Sequence, residues 1–174
     1  MLIRPIKFQD IQACLEIYAP YVTDSAVSFE IEVPELAEFE LRVQNITQKY
    51  PWLVAIQDNQ VIGYAYASSY RDRLAYQWNV EVSVYIHDNH KQKKIAQSLY
   101  TELMQQMKNQ GFCKAFAVIA LPNDPSVKFH SQFGFKEFAV YKKVGFKLGQ
   151  WYDVQWMEYE INSVAIPSTP LLPA

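Results

Sequence analysis

The stretch that decides the fold is NVEVSVYIHDNHKQKKIAQSLYTELMQQMKNQG (79–111), which is followed by the apolar run KAFAVIAL (114–121). Side chains alternate between two faces over residues 79–86, as they do in a β-strand. Apolar residues then recur every four positions from Ile95 onward, which is the spacing of a helix face, and Gly111 is a suitable stop. This order predicts two parallel strands joined by a helical crossover.

Two helical segments precede this unit. FQDIQACLEIYAPYV (8–22) has apolar residues at helical spacing, and Pro20 predicts a stop or a kink near its end. PELAEFELRVQNITQKY (34–50) predicts a second helix, with Pro34 at its first helical position. Residues 2–5 predict a short strand in front of both helices.

Other strand-like segments lie on either side of the crossover. PWLVAIQDNQVIGYAYASSY (51–70) consists of two apolar runs around the turn Asp-Asn, which predicts a hairpin. PNDPSVKFHSQFGF (122–135) predicts a loop and a short helix that ends at Gly134. Two more strands are expected around 135–143 and 151–161. The segments together predict a mixed α/β fold on one central sheet.

Length and composition indicate one globular domain over residues 1–161, followed by a loose, proline-rich tail over 162–174. Half of the residues are hydrophobic and 20% are charged, which excludes a disordered chain. The net charge of −2 argues against a general nucleic-acid binder. There is no apolar run of about 18 residues and no apolar core of a signal peptide. We therefore expect a cytoplasmic protein without a membrane or nucleic-acid partner.

Metal ligation is not expected. Cys14 and Cys113 have no ligand spacing and are interpreted as small buried hydrophobic residues of a reducing compartment. The three histidines do not form a ligand pattern either.

The carboxyl end of the strand at 79–86 faces the start of the next helix, which is where open α/β sheets bind ligands. Glu81 lies in a valine-rich part of this strand, so desolvation could raise its pKa and make it a proton acceptor near neutral pH. The alternative is a glutamate on a solvent face. His130 could move a proton, or it could be a packed or surface histidine.

Three further polar residues are candidates. Arg71 and Arg73 precede the Glu81 strand, and an arginine can hold a carboxylate through two hydrogen bonds. Both could equally be solvated loop charges. Asn123 could contact a ligand or simply form a turn.

Three blocks of the chain resemble successive blocks of the GNAT acetyltransferases: VEVSVYIHDNHKQKKIAQSLY (80–100), LPNDPSVKFHSQFGF (121–135) and VGFKLGQWYDVQWM (144–157). The resemblance is to the branch that acetylates phosphinothricin and methionine sulfoximine, and it runs from about residue 3 to residue 161. It implies a twisted mixed sheet of about seven strands flanked by helices, with acetyl-CoA as co-substrate. It also implies a homodimer, with which an apolar patch of Phe146, Trp151 and Trp156 would be consistent.

The resemblance assigns roles to individual positions. Glu81 matches the general base, and His130 matches the residue that protonates the leaving thiolate. The contacts to acetyl-CoA fall on Val84, Tyr85 and Ile86 at the strand end, on Lys91, Gln92, Lys93, Lys94, Ile95, Ala96 and Gln97 in the following turn, and on Asn123. The amino-acid substrate falls on Arg71, Arg73, Phe29, Glu81, Val82 and Ser83, and Arg71 is the better match for the residue that holds its carboxylate.

One residue of the turn departs from the family pattern. Lys94 stands where the pattern has glycine, while Ala96 conforms and Lys91 keeps the positive charge. If the position needs a left-handed backbone, lysine costs about 1–2 kcal/mol there. If the position is helical, lysine costs almost nothing. We expect a working phosphate site that is narrower at Lys94.

The resemblance implies acetyl transfer from acetyl-CoA to the α-amine of a small amino acid such as phosphinothricin or L-methionine sulfoximine. Two alternatives are an acetyltransferase that acts on a peptide or protein amine and a module that binds CoA or an amino acid without chemistry.

Overall fold

A computed structural model describes residues 1–91, 94–163, 165–170 and 172 of the chain. The strands are β1 (Leu2–Pro5), β2 (Trp52–Gln57), β3 (Gln60–Ser69), β4 (Asn79–Ile86), β5 (Lys114–Leu121), β6 (Lys136–Lys147) and β7 (Gln150–Glu160). The helices are α1 (Ile11–Thr23), α2 (Leu36–Thr47), α3 (Ile95–Gln110) and α4 (Asp124–Phe133). Short 3-10 turns occur at Phe8–Asp10, Leu74–Tyr76 and Asp88–His90.

The strands form one seven-stranded sheet in the order β1-β2-β3-β4-β5-β7-β6. β4 and β5 run parallel, and the other neighbouring strands are antiparallel. The predicted crossover is thus confirmed, as is the mixed sheet flanked by helices.

The two faces of strand β4 contribute side chains to two different cores, as its alternation predicts. Val80 and Val82 are buried in the core beneath α3, together with Leu99 and Met107 of that helix. Tyr85, on the other face, packs against the core formed with α1 and α2. The alternation therefore fixes which face of the strand each helix layer covers.

Helix α3 begins and ends at residues with left-handed backbone. Gly111 terminates the helix with φ of 92°, a conformation that glycine adopts without a steric penalty. Lys94, immediately before the helix, has φ of 57° and ψ of 12°. The position thus has the conformation that favours glycine, and lysine is strained there.

The helices differ from the predictions in two details. α1 continues for three residues beyond Pro20, so this proline does not stop it, and the alternative of a kink stays a prediction. A proline in the last turn removes only the hydrogen bond to the carbonyl four residues before it. Pro34 lies outside α2, whose N-cap is Glu35 in an extended conformation.

The predicted apolar patch is only partly at the surface. Phe146 and Trp151 are 56% and 58% exposed, but Trp156 is buried against Phe116 and Val154. Trp156 differs because it lies opposite Val118 of β5, well inside the sheet.

Among the described residues after β7, Ile161, Asn162 and Ser168 are hydrogen-bonded to the rest of the fold, the first two through their N–H groups to the Cys113 carbonyl. The Asn162 amide donates to the carbonyls of Lys108 and Phe112, and the Trp78 indole donates to the carbonyl of Ser168. The division into a domain and a loose tail stays a prediction. Within the described ranges, no helix is both long and apolar enough to cross a membrane.

The strain at Lys94 leads to a stability prediction. Lys94→Gly removes a left-handed penalty of about 1–2 kcal/mol but adds about 0.5–1 kcal/mol of backbone entropy to the unfolded chain. We expect the free energy of unfolding in urea to rise by about 0.5–1 kcal/mol. Gly111→Ala, at the other end of α3, is the matched opposite change and should lower it by about 1 kcal/mol. A destabilised Lys94→Gly variant would contradict this account.

Candidate active site

The site is built where β4 and β5 separate. These parallel strands pair at only three positions, the last of which joins Glu81 to Phe116. Beyond it β4 continues to Ile86, and β5 continues to Leu121. A wedge-shaped opening therefore lies in the middle of the sheet, starting directly after Glu81.

The backbone of Val84 faces this opening. His87 N–H donates to the Ile62 carbonyl, so these two residues form a hydrogen-bonded pair next to the β3–β4 ladder. Hydrogen-bonded and non-hydrogen-bonded pairs alternate along antiparallel strands, so the neighbouring pair of Ile86 and Gly63 is a non-hydrogen-bonded one. Two residues earlier, Val84 occupies the same kind of position. Its N–H and C=O consequently point away from β3, toward the gap between β4 and β5.

A cavity occupies the opening and reaches both faces of the sheet. Its walls come from β4, β5, α3, α4 and the segment between α1 and α2. The lining residues are Val27, Val82, Ser83, Val84, Tyr85, Tyr100, Ala117, Val118, Ile119, Ala120, Asn123, Ser126 and His130. The structure thus brings six predicted residues together here, namely Val82, Ser83, Val84, Tyr85, Asn123 and His130.

Tyr21 is a site residue that the sequence did not reveal. Its hydroxyl donates to the Ile86 carbonyl at 2.7 Å and accepts from the Ile86 N–H at 3.3 Å. The Lys91 ammonium lies 5.0 Å from the centre of the Tyr21 ring and pairs with Asp88 at 2.5 Å. The Ile86 backbone, predicted to bind the cofactor, therefore already has a partner, and the free part of the strand edge lies at Val84.

The start of α3 offers backbone donors. Ser98 N–H bonds to the Lys94 carbonyl, so the N–H groups of Ile95, Ala96 and Gln97 have no intrahelical acceptor. The Ile95 side chain is buried in the core, so only its backbone can meet a ligand. Such a helix start attracts anions. The predicted residues Gln92 and Lys93 lie outside the described part of the chain.

Glu81 is half-buried beside Arg71. Its Oε1 lies 3.1 Å from Arg71 Nη1, and its side chain keeps 31% of its exposure. Burial raises the pKa of the Glu81 carboxyl above its ordinary value, while the charge and hydrogen bond of Arg71 oppose this rise. Glu81 does not line the cavity, but it holds the last paired position before β4 and β5 separate. A half-buried carboxylate with a raised pKa is suited to accepting a proton.

The arginine itself is held by aromatic rings. The Arg71 guanidinium carbon lies 4.4 Å from the centre of the Tyr70 ring and 5.3 Å from the Trp156 ring, and Nη1 also donates to the Tyr70 carbonyl. These contacts fix the guanidinium next to Glu81, where it is accessible to a ligand. Arg73 is exposed in the same loop and makes no ion pair within the described residues. Phe29 lies beside Tyr152, outside the cavity lining.

His130 is buried and neutral. It is 4% exposed, and burial lowers its pKa to about 4. Its Nδ1 lies 2.8 Å from the Ser126 carbonyl, which can only accept, so the ring proton is on Nδ1. Nε2 then accepts from the Tyr100 hydroxyl at 3.1 Å. At neutral pH Nε2 is therefore an acceptor, and His130 can give up a proton only from the rare doubly protonated state.

Asn123 begins α4. Its side-chain oxygen accepts from the Ser126 N–H at 3.3 Å, so it caps the helix. This contact is a helix cap and not the simple turn of the alternative interpretation. The residue also lines the cavity, and its side-chain nitrogen has no hydrogen-bond partner in the part of the chain that is described.

Comparisons with known proteins agree with this geometry. Residues 3–156 match the acetyltransferase (GNAT) domain family. The chain is 36% identical to the phosphinothricin N-acetyltransferase of Streptomyces viridochromogenes, covering 98% of this chain and 93% of that protein. It is 30% identical to the L-methionine sulfoximine/L-methionine sulfone acetyltransferase of Salmonella typhimurium, covering 96% and 98%. The crystal structure of a phosphinothricin acetyltransferase from Sinorhizobium meliloti in complex with acetyl-CoA superposes with a TM-score of 0.88 at 35% identity, covering 91% and 87% of the two chains.

The neutral state of His130 makes stability depend on pH. The unfolded chain takes up this proton near pH 6.5, and the folded chain does so only near pH 4. Between these values the unfolded state binds more protons, so stability falls as the pH is lowered. We expect His130 to account for a loss of about 2–3 kcal/mol between pH 7 and pH 4.5. Urea unfolding of His130→Gln should show a correspondingly flatter profile, whatever its stability at pH 7. Equal pH slopes would show that His130 is not held neutral.

Proposed function

The chain belongs to the GNAT acetyltransferase family, and we propose that it acetylates the α-amine of a small amino acid directly, with Glu81 as the base. It is an acetyl-CoA-dependent N-acetyltransferase of the phosphinothricin and methionine sulfoximine type. One observation carries the proposal: β4 and β5 separate immediately after Glu81, so Glu81 lies at the start of the opening that the Val84 N–H faces.

The described residues fit acetyl-CoA. The N–H groups of Ile95, Ala96 and Gln97 provide donors for phosphate, and the Val84 backbone provides a donor and an acceptor for an amide-containing arm. Asn123 adds a side-chain amide deeper in the cavity. When bound, acetyl-CoA supplies an acetyl group activated as a thioester.

Glu81 is proposed to take the proton of the acceptor ammonium. An ammonium has no free electron pair, so the amine must lose a proton before it can attack a carbonyl carbon. Partial burial makes the Glu81 carboxylate more basic than an exposed glutamate, which brings its pKa closer to that of the group it must deprotonate. The Val84 N–H is proposed to stabilise the negative charge that develops on the thioester oxygen.

Arg71 is proposed to hold the α-carboxylate of the acceptor. Its side chain is 46% exposed, and it already donates a hydrogen bond to one carboxylate, that of Glu81. Five N–H donors allow a guanidinium to bind a second carboxylate without giving up the first. An acceptor so held would have its amine beside Glu81, which is the arrangement that direct transfer needs.

His130 is proposed to protonate the departing thiolate, with a small contribution. With a pKa of about 4, roughly one ring in a thousand carries a second proton at pH 7. We therefore expect the His130→Gln variant to lose less turnover than a variant of Glu81. Phosphinothricin and methionine sulfoximine are the proposed acceptors, and the cytoplasm is the proposed location.

The chain is further proposed to act as a homodimer. β6 is the last strand of the sheet, and its outer end carries a group of apolar side chains that are about half exposed. They are Phe138, Tyr141, Val144, Phe146, Leu148 and, from β7, Trp151. An apolar edge of this kind is normally covered by a partner.

The release of CoA thiol from acetyl-CoA tests the function. Purified protein is offered methionine sulfoximine, phosphinothricin, the α-amide of methionine sulfoximine and a short peptide in separate reactions. We expect turnover with a free amino acid and little with the amide, which lacks the carboxylate that Arg71 would hold. Turnover with the peptide alone would favour a protein acetyltransferase, and binding of acetyl-CoA without any turnover would favour a binding module.

Replacement of the base gives a separate prediction. Glu81→Gln keeps the size of the side chain but cannot accept a proton, so kcat at pH 7 should fall by about a hundredfold or more. The loss should shrink at high pH, where the free amine is abundant without a base. A pH–rate profile parallel to that of the unmodified protein would remove Glu81 from this role.

Sedimentation of the purified protein tests the dimer. We expect a mass of two chains, and Phe146→Asp should shift the equilibrium toward one chain because it places a charge in an apolar contact. Phe8→Asp, at an exposed apolar residue far from β6 in sequence, is the control and should leave the mass unchanged.

A further inference from the structure

Lys147, in the block VGFKLGQWYDVQWM, is a buried cation. It is the last residue of β6 and is only 5% exposed. Its ammonium donates to the Val22 carbonyl at 2.6 Å and to the Ser28 carbonyl at 2.7 Å. Among the described residues no carboxylate lies within ion-pair distance of it. A lysine at a hairpin end is ordinarily solvated, so a buried one that is compensated by two carbonyls has a specific structural task.

Both carbonyls belong to one stretch of chain, which runs from the last turn of α1 into the connection that follows it. Val22 lies in the last turn of α1, where carbonyls have no intrahelical partner and the helix dipole is negative. Ser28 lies six residues further on. The single ammonium therefore joins the beginning of the segment to its end and closes it into a loop.

The same hairpin holds the loop at a second point. A Cβ atom built on Gly145 would lie 2.2 Å from Cε2 of Phe29, so the phenyl ring occupies the space that any other residue at 145 would need. The ring also lies 6.3 Å from that of Tyr152, across the hairpin. Only glycine allows the ring to lie directly against the backbone of β6.

Helix α1 holds the loop from the other side. The Ser28 hydroxyl lies 2.6 Å from the Tyr18 hydroxyl, and Ser28 N–H donates to the Tyr21 carbonyl at 3.3 Å. Glu30, just beyond, pairs with Arg42 of α2 at 2.7 Å. Ser28 is thus fixed between α1 and Lys147, and the residues next to it have little freedom.

Val27, adjacent to Ser28, forms part of the cavity wall together with Val118. Val118 lies on the same face of the sheet as Glu81, since Glu81 is opposite Phe116 and Val118 is two residues further along β5. The loop therefore forms a wall of the cavity on the side where the proposed base lies.

We propose that Lys147 and Gly145 are positioning residues, which act through the loop 22–29 to hold Val27 as a preformed wall on the acceptor side of the active site. Lys147 acts on the loop backbone, and Gly145 acts by making room for the ring of Phe29. Neither residue touches the cavity, so both act by fixing other residues. The kinetic part of this inference rests on the proposed function, and the structural part does not.

Hydrogen exchange of the whole purified protein, without ligands, tests the structural part. In Lys147→Met the carbonyls of Val22 and Ser28 lose their shared donor, so exchange across residues 22–29 should become about tenfold faster or more. Lys142→Met is the matched control, because Lys142 is an exposed lysine of the same strand that pairs with Asp153. Unchanged exchange across 22–29 in Lys147→Met would overturn the proposal.

Steady-state kinetics with methionine sulfoximine test the positioning role. Lys147→Met should raise the KM for this acceptor on the order of tenfold, with KM for acetyl-CoA unchanged, since the wall lies on the acceptor side. A fall in kcat with both KM values unchanged would overturn the role. Absence of turnover in the unmodified protein would instead count against the proposed function and leave the exchange result to decide on the loop.

A second pair of variants covers the case in which Lys147→Met does not fold. Gly145→Ala should displace the Phe29 ring and raise the acceptor KM in the same way. Phe29→Ala removes the ring, so adding Gly145→Ala to it should have no further effect. Additive effects of the two changes would show that Gly145 does not act through Phe29 and would overturn its part.

Discussion

The active site depends on how briefly β4 and β5 are paired. Each strand is held along its whole length from its outer side, β4 through seven pairs with β3 and β5 through eight pairs with β7. Only three pairs join the two strands to each other. The sheet can therefore open in its middle without losing either strand. The inner strand edges keep unpaired backbone groups, which a ligand rich in amides can satisfy.

The helix after β4 completes this arrangement, and the residue immediately before it carries a steric penalty. β4 ends at Ile86 and α3 begins at Ile95, and the first three N–H groups of α3 have no acceptor within the helix. Lys94, directly before Ile95, has a left-handed backbone. The strain persists because the four-residue repeat of α3 fixes the helix on the core at both ends. The backbone N–H donors of α3 do not depend on which side chain stands at position 94. The strain therefore lowers the stability of the fold and leaves these donors in place.

The local features of the fold could be predicted from the sequence because they depend on periodicity. The alternation in β4, the four-residue repeat of α3 and the stops at Gly111 and Gly134 each act within one element. The features that were missed join residues far apart in the chain. Tyr21 contacts Ile86 across 65 positions, and Lys147 contacts Val22 across 125. No local pattern separates these residues from surface tyrosines and lysines. His130 was predicted as a site residue, but its neutral state depends on how deeply the ring is buried, which the sequence does not record.

One half of the site is formed mainly by backbone groups and the other mainly by side chains. The half suited to acetyl-CoA consists mainly of backbone groups, at Val84 and at the start of α3, and these persist when side chains change. The half that is proposed to bind the acceptor consists of side chains from separate elements: Glu81 from β4, Arg71 from the β3–β4 loop and the loop after α1 held by Lys147. A substitution in the second half can alter which amine fits without disturbing the backbone donors of the first. We accordingly expect acceptor choice to depend on individual residues more than cofactor binding does, and the loop 22–29, held by side chains from other elements, is one of the places where we propose that this choice is set.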